Sequence, residues 1–239
     1  YRAKYEAKGK EPPSGWKSRY TKPEPLESAV GLPDLPPDWQ WVSGEQMLYY
    51  VTSGSRGWSK YYDDEGQLFI RVGDISDSDI EIDFSDVQRV NLPDEERGHR
   101  SLLEPRDLLI SITADIGKVG IVPGDIEEAY INQHVALTRP SDPDTTKYLA
   151  YYLISPGGGA KQFQELQKGA TKAGLTLTNI KEIAIALPPA SELKQIVDEV
   201  ERLLSVADDA AATADREHTR AERLRQSILK QAFSGRLVP

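Results

Sequence analysis

The sequence contains no cysteine among its 239 residues, which excludes disulfide bonds, thiolate metal ligands and thiol nucleophiles. No apolar run approaches the roughly 20 residues of a transmembrane helix, and the first ten residues, YRAKYEAKGK, lack the apolar centre of a secretory signal. These absences favour a cytoplasmic protein. The chain begins with Tyr1 instead of methionine, so we expect it to be a piece of a longer polypeptide.

Signatures of common enzyme classes are missing as well. The glycine clusters GSRG and PGGGA lack the spacing of a phosphate-binding loop, and no GxSxG serine motif occurs. The three histidines lie far apart, which predicts no metal site. Asp107, Asp115 and Lys118 could begin a magnesium-dependent nuclease site, but ADIGKVG is better explained as a turn between strands. The sequence favours binding without catalysis.

Three zones follow one another along the chain. Residues 1–37 are rich in proline, as in EPPSG, KPEP and LPDLPPD, and predict a linker. Residues 38–188 consist of short apolar or alternating runs separated by glycine, proline and aspartate, which predicts a globular domain with short strands and a few helices. Residues 190–239 predict a long helix. We therefore expect a mixed α/β (α+β) fold followed by a long coiled-coil helix.

Six runs in the middle zone have the pattern of strands. In DIEIDF, Ile80, Ile82 and Phe84 would share one face of a strand, with acidic residues on the other. TTKYLAYYLIS and AKQFQELQKG are predicted helices, the second ending at Gly169. The predicted strands are LFIRV (68–72), DIEIDF (79–84), DLLISI (107–112), KVGIV (118–122), HVALT (134–138) and IAIAL (183–187).

The last zone carries a seven-residue apolar repeat. Ser191 can cap a helix, and neither glycine nor proline follows until Gly235, so one helix is predicted from Ser191 to about Phe233. At 1.5 Å per residue this helix is roughly 64 Å long, and its stripe needs a partner helix longer than its own domain can supply. The predicted seam, interrupted at Glu217, is Leu193, Ile196, Val200, Leu203, Ala207, Ala210, Ala214, Ala221, Leu224 and Ile228.

Negative charge is concentrated in the globular zone. The net charge of -9 divides into +1 for residues 1–38, -9 for 39–188 and -1 for 189–239. Nine carboxylates and one arginine lie between Asp74 and Glu96, a stretch unsuited to face phosphate. Residues 159–181 instead contain four lysines and one glutamate. Because the charge is segregated, the acidic total does not exclude nucleic-acid binding.

A set of segments in fixed order carries a family resemblance. It includes IAIALPPASELKQIVDEVERLL (183–204) and RLRQSILKQAFSGRLVP (223–239), and extends back to residue 36 through GATKAGLTLTNI, YLAYYLIS, AYINQHVALTRP, EPRDLLISITADIGKVGIV and LPPDWQWVSGEQM. Together these segments resemble the specificity subunits of Type I restriction-modification enzymes. The stretch ELKQ (192–195) departs from the family, which more often has an acid directly followed by glutamine. The proline-rich start resembles the connector into a second recognition domain, as in the C-terminal half of such a subunit.

This resemblance implies a non-catalytic subunit for DNA methylation and phage defence in bacteria or archaea. A target recognition domain would read one half of a bipartite double-stranded DNA sequence. The long helix would set its distance from a second recognition half, in cis or in a second copy, and would dock methyltransferase (modification) subunits and, indirectly, the restriction subunit. S-adenosylmethionine would bind to the partner methyltransferase subunits, and no cofactor or metal is expected in this chain.

Three segments hold the predicted DNA contacts. In GSRGWSKYY (54–62), Arg56 offers paired donors to guanine and Lys60 can hold phosphate; the alternative is a surface loop whose aromatics cover the core. GATKAG (169–174) is a second candidate for DNA contacts, and its alternative is an ordinary connection between a helix and a strand. The amides of INQH (131–134) can contact DNA or satisfy buried backbone groups. The predicted DNA-binding residues are Ser55, Arg56, Ser59, Lys60, Lys168, Thr171 and Lys172, with Trp58, Asn132 and Gln133 as further candidates.

Two other functions are compatible with the sequence. One is the recognition domain of a single-chain restriction and modification enzyme, whose methyltransferase motifs would lie upstream. The other is a coiled-coil scaffold that does not read DNA. The sequence upstream would decide the first alternative, and co-purification with a methyltransferase subunit, followed by binding tests on methylated genomic motifs, would reduce the uncertainty most.

Overall fold

The computed structural model describes residues 11, 26, 32–95, 100–168 and 174–237. Most of the linker predicted for residues 1–37 therefore lies outside the described residues, as do residues 169–173 of GATKAG. The chain divides into two compact units, Tyr1–Pro188 and Pro189–Pro239. Within the described ranges, every helix is too short or too polar to span a bilayer.

Short strands form three small sheets in the described part of the first unit. The strands are β1 (Gln40–Ser43), β2 (Leu48–Ser53), β3 (Tyr62–Asp63), β4 (Gln67–Ile70), β5 (Arg89–Val90), β6 (Leu108–Ser111), β7 (Val119–Ile121), β8 (Ala129–Ile131), β9 (Val135–Pro140) and β10 (Ala184–Leu187). β1 pairs with β10, a second sheet has the order β2-β9-β6-β7, and a third has the order β3-β5-β4-β8. All pairs are antiparallel except β4 with β8.

Helices flank these sheets and one long helix forms the second unit. They are α1 (Gly44–Met47), α2 (Thr146–Ile154), α3 (Gly159–Lys168), α4 (Leu177–Glu182) and α5 (Ala190–Phe233), with 3-10 turns at Trp58–Tyr61, Val72–Asp74 and Pro143–Thr145. The mixed α/β class and the long C-terminal helix are thus confirmed. Ser191 is not the cap of α5, because Pro189 is already extended and holds the cap position, so the helix begins at Ala190.

The main core lies between the second and third sheets. β9 is buried along its whole length, and β2 and β6 pair with its two edges. Side chains of both sheets, among them Ile70, Leu109, Ile131 and Leu137, belong to one apolar cluster. The two sheets are therefore joined through their side chains, and the loops at their ends have fixed relative positions.

The predicted strand DIEIDF is wrong. Ile80 and Ile82 are buried as expected, but the segment forms only an isolated bridge from Ile82 to Ile75, and Phe84 is 39% exposed. Aspartate side chains accept backbone hydrogen bonds here, from the N–H of Glu81 to Asp79 and from that of Ser85 to Asp83. The Asp79 turn takes the N–H of Glu81, and backbone bonds from the segment to Asp74, Ser76 and Ile121 form no regular ladder, so alternation alone misidentifies the segment.

Candidate nucleic-acid interface

The carboxyl ends of four strands meet at one edge of the first unit. β4 and β8 are parallel neighbours, so both end on the same side. β2 and β6 are each antiparallel to β9, so both end where β9 begins. Loops that follow strands at such an edge can carry polar side chains held in place by a rigid scaffold.

Backbone hydrogen bonds continue each sheet past this edge, and one bridge links the two sheets. The N–H of Asn132, after β8, donates to the carbonyl of Ile70 at 3.2 Å, and the N–H of Ile112 donates to the carbonyl of His134 at 2.9 Å. Ser55 forms a parallel bridge with Asn132. The loops of residues 54–57, 71–74, 112–118 and 132–134 therefore converge, and we call this surface the strand-end edge.

Trp58 anchors the loop GSRGWSKYY to the core. Its side chain is 5% exposed and lies in a cluster with Phe69 and Tyr130. The ring centroids are 5.7 Å from Phe69 and 5.3 Å from Tyr130, the latter edge-on. The structure thus buries Trp58, one of the further DNA-contact candidates, and gives it a packing role.

Polar residues of the same loop point away from the core. Arg56, Ser59 and Lys60 are exposed, whereas Ser55 is half-buried beside its bridge partner. The Lys60 ammonium lies 4.5 Å from the centre of the Tyr61 ring. Anchoring by Trp58 and exposure of these side chains together produce a loop that presents basic and hydroxyl groups from a fixed base.

Gly54 fits where any side chain would collide with backbone. A Cβ at this position would lie 1.9 Å from the carbonyl oxygen of Ile131 and 2.2 Å from that of Asn132. The carbonyl of Gly54 also accepts a hydrogen bond of 3.3 Å from Nη2 of Arg100, an exposed residue that sequence reasoning missed. The glycine therefore allows the backbone after β2 to lie close to the backbone at the end of β8.

An open groove lies along the strand-end edge. Its volume is about 500 Å³, and it is lined by Arg71, Val72, Gly73, Thr113, Ala114, Asn132 and His134. Of these, the sequence singled out Asn132 as a site residue. Arg71 was missed because it lies within the predicted strand LFIRV. Thr113 was missed because it precedes ADIGKVG, which was interpreted as a turn. A search for polar residues directly after each predicted strand would have found both.

The amides of INQH support the groove. Oδ1 of Asn132 accepts a hydrogen bond of 3.0 Å from the N–H of His134, which holds the turn between β8 and β9. Nε2 of Gln133 lies 2.9 Å from Nε2 of His134, and Nδ1 of His134 lies 2.6 Å from Oγ1 of Thr113. These side chains form a hydrogen-bonded series from Gln133 to the groove wall.

The second predicted segment reaches the same edge. Lys168 is the last residue of α3, and Thr171 and Lys172 lie outside the described residues. At the end of this segment, a Cβ on Gly174 would lie 3.3 Å from Cγ2 of Thr113. The N–H of Leu175 donates to the carbonyl of Ile112 at 2.8 Å. GATKAG therefore ends beside the groove wall.

Asp107 lies apart from the other two residues of the alternative nuclease set, Asp115 and Lys118, which form an ion pair of 3.9 Å. Asp107 precedes β6 and makes a buried ion pair with Arg139, whose Nε is 2.8 Å from Oδ1. Burial raises the pKa of Asp107 to about 6, although the arginine opposes this shift. Lys118 lies after the other end of β6 and pairs with Asp77 at 2.8 Å. ADIGKVG is a turn between β6 and β7, with Gly117 at φ 92°, as predicted.

Comparison with known proteins identifies the family of this scaffold. Residues 62–211 match the family described as Type I restriction modification DNA specificity domain. The chain belongs to this family. The specificity subunit of the Type I restriction enzyme EcoBI of Escherichia coli is 32% identical over 73% of this chain and 36% of that protein. The putative MjaX specificity subunit of Methanocaldococcus jannaschii is 26% identical over 84% of this chain and 47% of that protein.

Two solved structures have the same fold. The HsdS subunit from Thermoanaerobacter tengcongensis has a TM-score of 0.58 at 27% identity, covering 86% of this chain and 47% of that one. A chain from a study of complex assembly and conformational transition of the type I R-M system has a TM-score of 0.69 at 25% identity, covering 87% and 49%. This specificity-domain chain thus spans a third to a half of the length of these relatives.

Proposed function

We propose that the chain is the DNA sequence-recognition half of a Type I specificity subunit. Residues 38–188 would read one half of a bipartite double-stranded DNA target, and the chain would perform no chemistry of its own. The observation that carries this proposal is the convergence of four loops at the strand-end edge in a member of a DNA specificity family. S-adenosylmethionine would bind to partner methyltransferase subunits, and these would contact the restriction subunit.

The loop of residues 54–62 supplies groups suited to DNA. Arg56 can donate two hydrogen bonds to one guanine, and Lys60 and Ser59 can hold phosphate oxygens. All three side chains are exposed while Trp58 fixes their loop. Because partner subunits would contribute positive charge around the DNA, an acidic recognition chain is tolerable.

The long helix α5 supports pairing with a second helix. Its seam residues from Leu203 onward are exposed, with Leu203 at 52%, Leu224 at 60% and Ile228 at 45%. Residues 190–217 carry eight acidic and three basic side chains, whereas residues 218–237 carry one acidic and five basic. An antiparallel partner of the same kind would place its basic half against the acidic half of α5, which favours that orientation over the parallel one.

The test separates base contacts from phosphate contacts in the assembled methyltransferase complex. Arg56→Ala should cost about 1 to 3 kcal/mol on the cognate half-site and relax preference at one base pair. Lys168→Ala or Lys172→Ala should weaken cognate and non-cognate DNA alike and flatten the salt dependence, because a phosphate contact releases counterions whatever the sequence.

Arg106→Ala is the matched control. Arg106 lies before β6, at the opposite end of that strand from the strand-end edge, and makes an exposed ion pair with Asp144. Its removal should leave both affinity and motif unchanged. A wild-type complex that methylates or binds DNA without sequence preference would refute the proposed function, and an Arg56→Ala complex with an unchanged motif would refute the role of that arginine.

A further inference from the structure

The groove on the strand-end edge displays hydrogen-bond donors in a fixed arrangement. Arg71 follows the last residue of β4, and its N–H donates to Oδ2 of Asp74 at 2.6 Å. The same carboxylate oxygen lies 3.8 Å from Nε of the Arg71 guanidinium. The Asp74 side chain is 9% exposed and that of Arg71 38%, so a buried acid holds a half-exposed arginine at the groove wall.

The second wall of the groove carries a hydroxyl whose direction is set by a histidine. Nε2 of Gln133 is a donor only, so this contact assigns Nε2 of His134 as the acceptor and places the ring proton on Nδ1. That proton is donated to Oγ1 of Thr113, 2.6 Å away. Because its oxygen already accepts from His134, the Thr113 hydroxyl directs its own proton elsewhere, and this residue lines the groove.

A groove with donors on both walls selects for acceptors. In the major groove guanine presents two adjacent acceptors, O6 and N7, whereas adenine places an amino donor beside N7 and cytosine presents an amino donor. A phosphate would be a poorer ligand for Arg71, because Asp74 already offsets the charge of the guanidinium and would repel an anion. A neutral base edge carries no such penalty.

We propose that this groove reads one guanine of the half-site from the major groove, with Arg71 donating to O6 and N7. Thr113 donates to a second acceptor on the base edges, and Asp74 and His134 are positioning residues that act through Arg71 and Thr113. This inference rests on the proposed DNA-recognition function. It adds a second base contact, made by Arg71 to a guanine, to the contact proposed for Arg56.

The test uses the assembled methyltransferase complex and a duplex with the motif that methylome sequencing gives for the wild type. Each guanine of the half-site is replaced in turn by 7-deazaguanine, which lacks N7, or by inosine, which keeps both N7 and O6. At one position 7-deazaguanine should weaken binding by about 5-fold, the low end of the range for a bidentate base contact, because O6 remains as an acceptor. Inosine should not weaken binding there.

Variants assign that position to the groove. Arg71→Ala should weaken binding to the unmodified duplex and abolish the extra loss on 7-deazaguanine at that one position. Asp74→Asn should reduce the same discrimination while binding to random-sequence DNA does not weaken, a result that a merely structural role would not produce. Thr113→Val should lower cognate affinity several-fold, and Arg106→Ala, at the opposite end of β6, should change nothing.

Each failure has its own meaning. A half-site without guanine, or without a position sensitive to 7-deazaguanine, overturns the inference on the wild-type complex alone, even if a variant fails to assemble. An Arg71→Ala complex that keeps the wild-type sensitivity overturns the role of Arg71. In both cases a sequence preference of the wild-type complex still stands, whereas its absence refutes the proposed function itself.

Discussion

Removal of the Trp58 ring should detach the loop that carries Arg56 and Lys60 from the core. Trp58 is 5% exposed and contacts two aromatic rings, those of Phe69 and Tyr130, at centroid distances below 6 Å. Trp58→Ala leaves a cavity, and truncations of this kind cost about 3 to 5 kcal/mol. For a chain of this length each kcal/mol lowers Tm by about 2 to 4 °C, so we expect a fall of roughly 6 to 20 °C.

Thermal unfolding followed by far-UV circular dichroism measures this change, with urea unfolding as the isothermal check. Trp58→Phe should lose well under half as much, because a ring still packs between the same partners. Tyr62→Ala is the matched control, since its ring also contacts Phe69, at 5.9 Å, but is 44% exposed. If the Tm of Trp58→Ala lay within about 2 °C of the wild type, the loss of stability would be too small for a buried aromatic side chain. That result would refute the anchoring role.

Three further outcomes test other parts of the structure. Gly54→Ala should destabilise by about 1 to 3 kcal/mol or more, because its Cβ would collide with the Ile131 carbonyl; an unchanged urea midpoint would contradict this. Arg139→Met should cost about 3 to 5 kcal/mol by leaving Asp107 buried without its partner, and Asp107→Leu in the same chain should recover most of that loss. Leu203→Asp should abolish helix pairing in sedimentation equilibrium through the cost of burying a charge, whereas Ser205→Asp on the opposite face should not; equal association of both variants would show that the seam is misassigned.

The family relationship could be read from the sequence because it depends on the order of short segments along the chain. Five of the ten strands and two of the four α-helices described in the middle zone were also predicted, since burial imposes a period that local sequence records. DIEIDF shows the limit of this approach. Its alternation correctly marks Ile80 and Ile82 as buried, but periodicity cannot show that an aspartate side chain takes the N–H of Glu81 and that no regular ladder forms.

The sequence by itself determined the long helix α5, because forty-four residues without glycine or proline and with a seven-residue apolar repeat specify that element locally. For the loop of residues 54–62 it predicted DNA contacts, with a surface loop whose aromatics cover the core as the alternative. Only the tertiary structure decided which loops share the strand-end edge. Arg71, Thr113 and His134 are far apart in the chain and line one groove because β4 pairs parallel with β8 and β9 pairs with both β2 and β6. Strand pairing depends on contacts between distant segments. The hydrophobic period within one strand therefore does not show which other strand lies beside it.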